Sequence, residues 1–144
     1  MTQPISPALS QELTLRCIDQ AGRCLELATS LGYDPSDPYG VWFTFRAAGG
    51  DVRWTVCRET LRLGLSDPAG LGDVQVWPGV DDAGRGVLVL EFLSPAGRLI
   101  ALAPTEEMHR FLVRTLAAVP AGTEDTHLDL DGLVDDLLGR SHPQ

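Results

Sequence analysis

Apolar and polar residues alternate through much of the first half of the chain, and a period of two marks strands with one buried face. Leu13, Leu15 and Cys17 are interleaved with Thr14 and Arg16, and Leu25 and Leu27 flank Glu26, which predicts two short strands joined near Ala21-Gly22. Val41, Phe43 and Phe45 alternate with Trp42, Thr44 and Arg46, while Val52, Trp54 and Val56 alternate with Arg53 and Thr55. Ala48-Gly49-Gly50-Asp51 lies between these runs and supplies the glycines of a hairpin turn. Arg58–Leu63 reads as a short helix stopped at Gly64.

In the second half, Val74 and Val76 predict a strand that ends at Trp77-Pro78, because proline cannot donate to a ladder. Asp81-Asp82-Ala83-Gly84-Arg85-Gly86 reads as a loop. Gly86–Ser94 and Arg98–Ala103 predict a second hairpin across Ser94-Pro95-Ala96-Gly97. Val87-Leu88-Val89-Leu90 is apolar without alternation, the mark of a strand covered on both faces. The expected cover is a helix from Pro104 to Ala118, whose Met108, Phe111, Leu112, Thr115 and Leu116 follow helical spacing. A further helix is expected over Asp131–Leu138, with Leu133, Val134, Leu137 and Leu138 on one face. The fold class is α+β: antiparallel β-sheets of about seven strands packed with two or three helices. Each half gives strands followed by a helical segment, a faint sign of duplication.

Length and composition fit one domain spanning residues 1–144, with 1–10 and 140–144 as flexible ends. Val87–Leu90 is the longest apolar run, too short for a membrane span, and Met1–Ser10 lacks the basic and apolar parts of a secretory signal. The expected location is the cytoplasm. Cys17, Cys24 and Cys57 form an odd set suited to a reduced protein. All 11 basic residues are arginine, as a GC-rich genome would encode. The net charge of -9 is uneven: six arginines face seven acids in residues 1–66, and five face thirteen in 67–144. The acidic second half repels a phosphate backbone.

Candidate chemistry is sparse. His109, His127 and His142 stand at no metal or triad spacing, and nothing local activates Cys57 as a nucleophile. Glu106-Glu107 and Asp135-Asp136 are helix neighbours that diverge and do not converge on a substrate. Asp125–Asp136 lacks the ligand spacing of a calcium loop, and Gly84-Arg85-Gly86 lacks the Lys-Ser/Thr of a phosphate cradle. These residues imply no catalytic site, metal or cofactor. Trp42, Arg46, Arg53 and Trp54 form the one pattern that suggests a stacking platform for single-stranded nucleic acid.

Four rigid junctions separate the apolar segments: Tyr33-Asp34-Pro35-Ser36-Asp37-Pro38-Tyr39, Gly72-Asp73-Val74-Gln75-Val76-Trp77-Pro78, Ser94-Pro95-Ala96-Gly97 and Val119-Pro120-Ala121-Gly122-Thr123-Glu124. Proline fixes φ, glycine permits positive φ and aspartate bonds back onto its own backbone, so each is a turn. Together with Phe111-Leu112-Val113-Arg114-Thr115 and His127-Leu128-Asp129-Leu130-Asp131, they resemble the SsgA-like sporulation and cell-division regulators of actinomycetes. The resemblance implies a trimer of whirly-like architecture. It also implies a non-enzymatic role in sporulation-specific division, recruiting partners such as FtsZ and other SsgA-like proteins to septum sites. The alternative is a whirly-like single-stranded nucleic-acid-binding protein. Gly122 is the candidate partner-contact residue: it suits a turn with positive φ after the long helix, and its missing side chain would permit close approach of a partner.

Overall fold

A computed structural model of the chain describes residues 8–127. Their order is β1 (Leu9–Ile18), β2 (Cys24–Asp34), β3 (Asp37–Ala47), β4 (Gly50–Cys57), α1 (Arg58–Gly64), β5 (Ala69–Leu71), β6 (Val74–Val80), β7 (Gly86–Ser94), β8 (Gly97–Pro104), α2 (Thr105–Ala118) and a 3-10 turn (Glu124–His127). The helix expected over Asp131–Leu138, His142 and the end 140–144 lie outside the described residues. β1 starts at Leu9, inside the stretch expected as the first flexible end.

All eight strands form one antiparallel sheet in the order β4-β3-β2-β1-β8-β7-β6-β5. Each half of the chain is a four-stranded meander followed by a helix, so the faint duplication in the pattern has a structural counterpart. The halves meet along β1 and β8 through the pairs Arg16–Leu102, Cys17–Ala101 and Ile18–Ile100. The sheet curls on itself. Phe92 of β7 meets Phe43, Phe45 and Trp54 of β3 and β4 edge-on, at ring centroid distances of 6.0, 5.4 and 5.1 Å. Burial of these rings and of Leu13, Leu15, Leu31, Val41 and Leu90 on the concave side supplies the main driving force for the curl.

Three expectations change. The strands of the first hairpin are long, with ten and eleven residues, because pairing runs from Leu9–Tyr33 to Ile18–Cys24 even where Cys24–Glu26 are exposed. The described residues hold eight strands, close to the expected seven or so, the unanticipated one being Ala69–Leu71, a three-residue edge with too little apolar pattern to show in the sequence. β6 does not stop at Trp77-Pro78 but continues to Val80. The two-residue loop Gly72-Asp73 makes Leu71 and Val74 a hydrogen-bonded pair, so alternation aims the backbone of Val74, Val76 and Pro78 away from β7. β5 reaches only to Val76, and the donor that Pro78 lacks would point to an open edge.

α1 and α2 form as the residues dictate. Glu59 lies in the first turn of α1, and Glu106 and Glu107 lie in the first turn of α2, where carboxylates complement the helix dipole. Met108, Phe111, Leu112 and Thr115 face the sheet. Met108, Phe111 and Leu112 share one cluster with Leu88 and Leu90, so the covering helix sits on the concave face. Val87 and Val89 lie outside that cluster and are nevertheless buried, beside their cross-strand neighbours Trp77, Gly79, Leu102 and Pro104.

Candidate functional site

The junction Val119–Glu124 and the junction Tyr33–Tyr39 are brought together by Arg58, the first residue of α1. Its guanidinium is buried, and Nη1 donates to the carbonyls of Thr115 at 3.1 Å and Val119 at 2.7 Å. The Thr115 carbonyl also accepts the Val119 N–H at 2.8 Å, whereas the Val119 carbonyl lies beyond the helix ladder, so a cation there completes the end of α2 and opposes the negative end of its dipole. Nη2 lies 3.3 Å from Glu124 Oε2 as an ion pair, off the alignment of a hydrogen bond. The guanidinium also sits 5.3 Å from the centre of the Tyr33 ring, and the Tyr33 hydroxyl donates to the Pro38 carbonyl at 2.9 Å. Burial raises the Tyr33 hydroxyl above the usual tyrosine range, which keeps it a donor.

Gly122 lies beside this knot at φ +87°, and its N–H donates to Glu124 Oε1 at 2.6 Å. Among the described residues a Cβ on Gly122 would meet no atom within 4 Å, so positive φ and not crowding requires glycine. The backbone N–H of Glu124 itself, then Arg58 and the Gly122 N–H, hold the Glu124 carboxyl below its ordinary value. Next to it, the Tyr39 hydroxyl donates to Asp125, which pushes the Tyr39 pKa up to about 12. In the other half of the Asp-Pro junction, Asp34 Oδ1 accepts from the Ser36 N–H at 2.9 Å, the local aspartate turn the sequence implies.

At the other end of the same strands, the curled sheet opens. A groove of 540 Å³ lies between the β3–β4 and β7–β8 hairpins, and Leu27, Phe45, Val52, Trp54, Phe92 and Leu99 line it. Its rim carries two ion pairs, Arg23–Asp19 at 3.1 Å and Arg98–Glu91 at 3.2 Å, of which Asp19, Arg23 and Arg98 line the groove.

The four residues of the suggested stacking platform are divided. Trp42, Arg46 and Arg53 lie on the outer face of β3 and β4, whereas Trp54 points into the groove against Phe92. Glu12 engages Arg46 through two hydrogen bonds of 3.0 and 3.1 Å and accepts a third from Ser30, contacts that hold its carboxyl below the usual range. Arg53 stacks 4.7 Å from the Trp42 ring centre.

The remaining candidates stay apart. Cys57 is half-buried ahead of α1, Cys24 is exposed, and Cys17 is buried with its thiol pushed up to about 11 by desolvation. His109 is exposed on α2. Asp81 Oδ1 accepts the Ala83 and Arg85 N–H groups at 2.9 Å, so the Gly84-Arg85-Gly86 loop is closed on itself. Among the described residues, no three His, Cys, Asp or Glu side chains gather where they could hold a metal ion, and no helix is long and apolar enough to cross a membrane. Sequence reasoning missed Arg58. Its one signal was an arginine set between the core residues Val56 and Leu61.

Paired meanders, an internal ionic knot and an open apolar groove define an α+β module whose surface features suit binding. The chain belongs to the SsgA family: a family model described as the Streptomyces sporulation and cell division protein SsgA matches residues 27–124. It is 39% identical over 138 residues to the sporulation-specific cell division protein SsgB of Streptomyces coelicolor, covering 95% of this chain and 100% of that one. SsgB of Salinispora tropica is 43% identical over 130 residues, covering 88% of this chain and 90% of its own. A solved SsgB structure, reported with mutations that correlate to longitudinal cell division during sporulation of Streptomyces coelicolor, superposes with a TM-score of 0.77 at 42% identity, covering 83% of this chain and 94% of its own. An SsgA-like sporulation-specific cell division protein from Thermobifida fusca superposes with a TM-score of 0.79 at 29% identity, covering 93% and 98%.

Proposed function

We propose that this chain is a non-enzymatic regulator of sporulation-specific cell division that recruits division proteins such as FtsZ, together with other SsgA-like proteins, to septum sites. The observation that carries the reading is its alignment with the whole length of SsgB from Streptomyces coelicolor. The chain acts as a single domain over residues 1–144, in the cytoplasm at nascent septa and as a homotrimer. Gly122 supplies partner contact: it is exposed, no atom of the described residues lies within 4 Å of where its side chain would be, and its N–H is tied to Glu124 beside the Arg58 knot.

Two measurements test this reading. Purified chain should co-sediment with FtsZ polymers at both low and physiological salt and elute at three times its 15.5 kDa mass. Binding to single-stranded DNA that falls steeply with salt, without FtsZ capture, would reverse the assignment in favour of nucleic acid. Gly122→Asn, which tolerates positive φ better than most residues, should weaken FtsZ capture with little change in Tm. Unchanged capture would remove Gly122 from the contact surface.

A further inference from the structure

The outer edge of β4 differs from the other edge of the sheet. It is eight residues long and contains no proline, and among the described residues only β3 pairs with it. The two-residue loop Ala48-Gly49 makes Ala47 and Gly50 a hydrogen-bonded pair. Alternation along the ladder then turns the N–H and C=O groups of Val52, Trp54 and Val56 toward β3 and those of Asp51, Arg53 and Thr55 outward. An exposed edge of this kind accepts a further strand.

Side-chain directions along the edge specify which strand. Val52 and Trp54 point into the 540 Å³ groove, a volume within the range of about 300–1,000 Å³ common to ligand sites. Val52 is 47% exposed there, unusual for a valine on the concave side of a sheet. Arg53, between them, points to the opposite face, where Trp42 holds its guanidinium in place. Among the described residues no carboxylate lies within 4 Å of Arg53, whereas Arg46 beside it is engaged by Glu12.

We infer that β4 takes up an extended segment of a protein partner with the pattern apolar–acidic–apolar, which adds to the sheet as an antiparallel ninth strand. The residue opposite Arg53 is the acidic one, on the outer face and within reach of the guanidinium. Its two neighbours, opposite Val52 and Trp54, turn their apolar side chains into the groove mouth. Main-chain bonds to Arg53 and Thr55 provide the attachment, and the groove and Arg53 provide the selection. The inference rests on the recruitment reading for the identity of the partner, but the binding chemistry is independent of it.

The test uses the full chain and a capped, fluorescently labelled heptapeptide, Ser-Thr-Val-Asp-Val-Thr-Ser, followed by anisotropy. Saturable binding is expected, weakened about fivefold when lysine replaces the aspartate, as loss of one surface ion pair predicts. Arg53→Glu should invert the preference between the two peptides. Thr55→Pro removes an outward donor without touching the β3 ladder and should abolish binding while circular dichroism and Tm are kept. If that variant unfolds, the Arg53→Glu inversion decides alone. Absence of saturable binding up to about 1 mM, equal binding of both peptides, displacement by a single-stranded oligonucleotide, or loss of self-association in Thr55→Pro with peptide binding intact would each overturn the inference. FtsZ capture without peptide binding would sink this edge assignment alone, and peptide binding without FtsZ capture would sink the recruitment reading alone.

Discussion

Where α1 and α2 close the sheet, a guanidinium is buried and two helix-end carbonyls and a carboxylate surround it. At the far end of the same strands, Val52 stands half in water above an apolar groove. Charge lies inside at one end and hydrocarbon lies outside at the other. The first arrangement stabilises through the two aligned Nη1 bonds, leaves Nη2 only an ion pair, and ties the end of α2 to the start of α1. The second leaves unspent hydrophobic surface, which becomes useful only when something else covers it. The closed end therefore sets shape, and the open end is where affinity can be gained.

The strongest way to break this contrast is Arg58→Met. Removing the guanidinium strands the Val119 carbonyl, takes one of two donors from the Thr115 carbonyl and leaves Glu124 without its counter-ion, and the expected loss is about 3–5 kcal/mol in chemical denaturation. A loss below about 1 kcal/mol would show that the knot does not hold the closed end. At the open end, Val52→Asp should change stability by no more than about 0.5 kcal/mol, because the position is half exposed, while lowering capture of a division partner. Equal capture by both proteins would remove the groove from the binding surface.

Acid sharpens the same comparison. The Glu124 carboxyl is held down by backbone N–H bonds and Arg58, and Glu12 by Arg46 and Ser30, so both titrate below 4.5 in the folded chain. The unfolded chain takes up these protons first. Their stabilisation is complete above the unfolded value of 4.5 and drains as pH falls through the depressed folded values. Thermal scans from about pH 6 to pH 3 should show a falling Tm, with a shallower fall in Glu124→Gln. An identical slope in that variant would assign the acid sensitivity elsewhere. The smallest effect is chemical: a thiol reagent near pH 8 should label exposed Cys24 promptly and leave Cys17 silent until unfolding, because burial raises its thiol to about 11.

Much of the fold was legible because it follows from short-range rules. Alternation located β3 and β4, the apolar run Val87–Leu90 and the turn Ser94–Gly97 located β7 and β8, the helical spacing of Met108, Phe111, Leu112 and Thr115 located α2, and the glycine and proline turns located their ends. What failed depended on distant pairing. Alternation over Leu13–Cys17 and Leu25–Leu27 cues only part of the first hairpin, yet β1 runs back to Leu9 and β2 on to Asp34 because each lies alongside the other. Pro78 stays in β6 because its missing donor faces open space, which no local window shows. The site was less legible. Gly122 stood out as a turn, but its support by Arg58 depends on contacts spanning more than fifty residues, with |i−j| values of 57 and 61 for the bonds to Thr115 and Val119. Alternation already set Trp54 with Val52 and Val56 and apart from Trp42, and the curl of the sheet, which no local window shows, is what brings it against Phe92.

Pro78 has a consequence for growth by stacking. One rim of the sheet is blunted by an imino acid and a three-residue strand, while the other retains its full complement of hydrogen-bonding groups. Copies cannot therefore be laid rim to rim into an endless ribbon, because each addition would present a poor acceptor to the next. A single ring closure in the backbone thus helps keep the sheet from propagating itself from copy to copy.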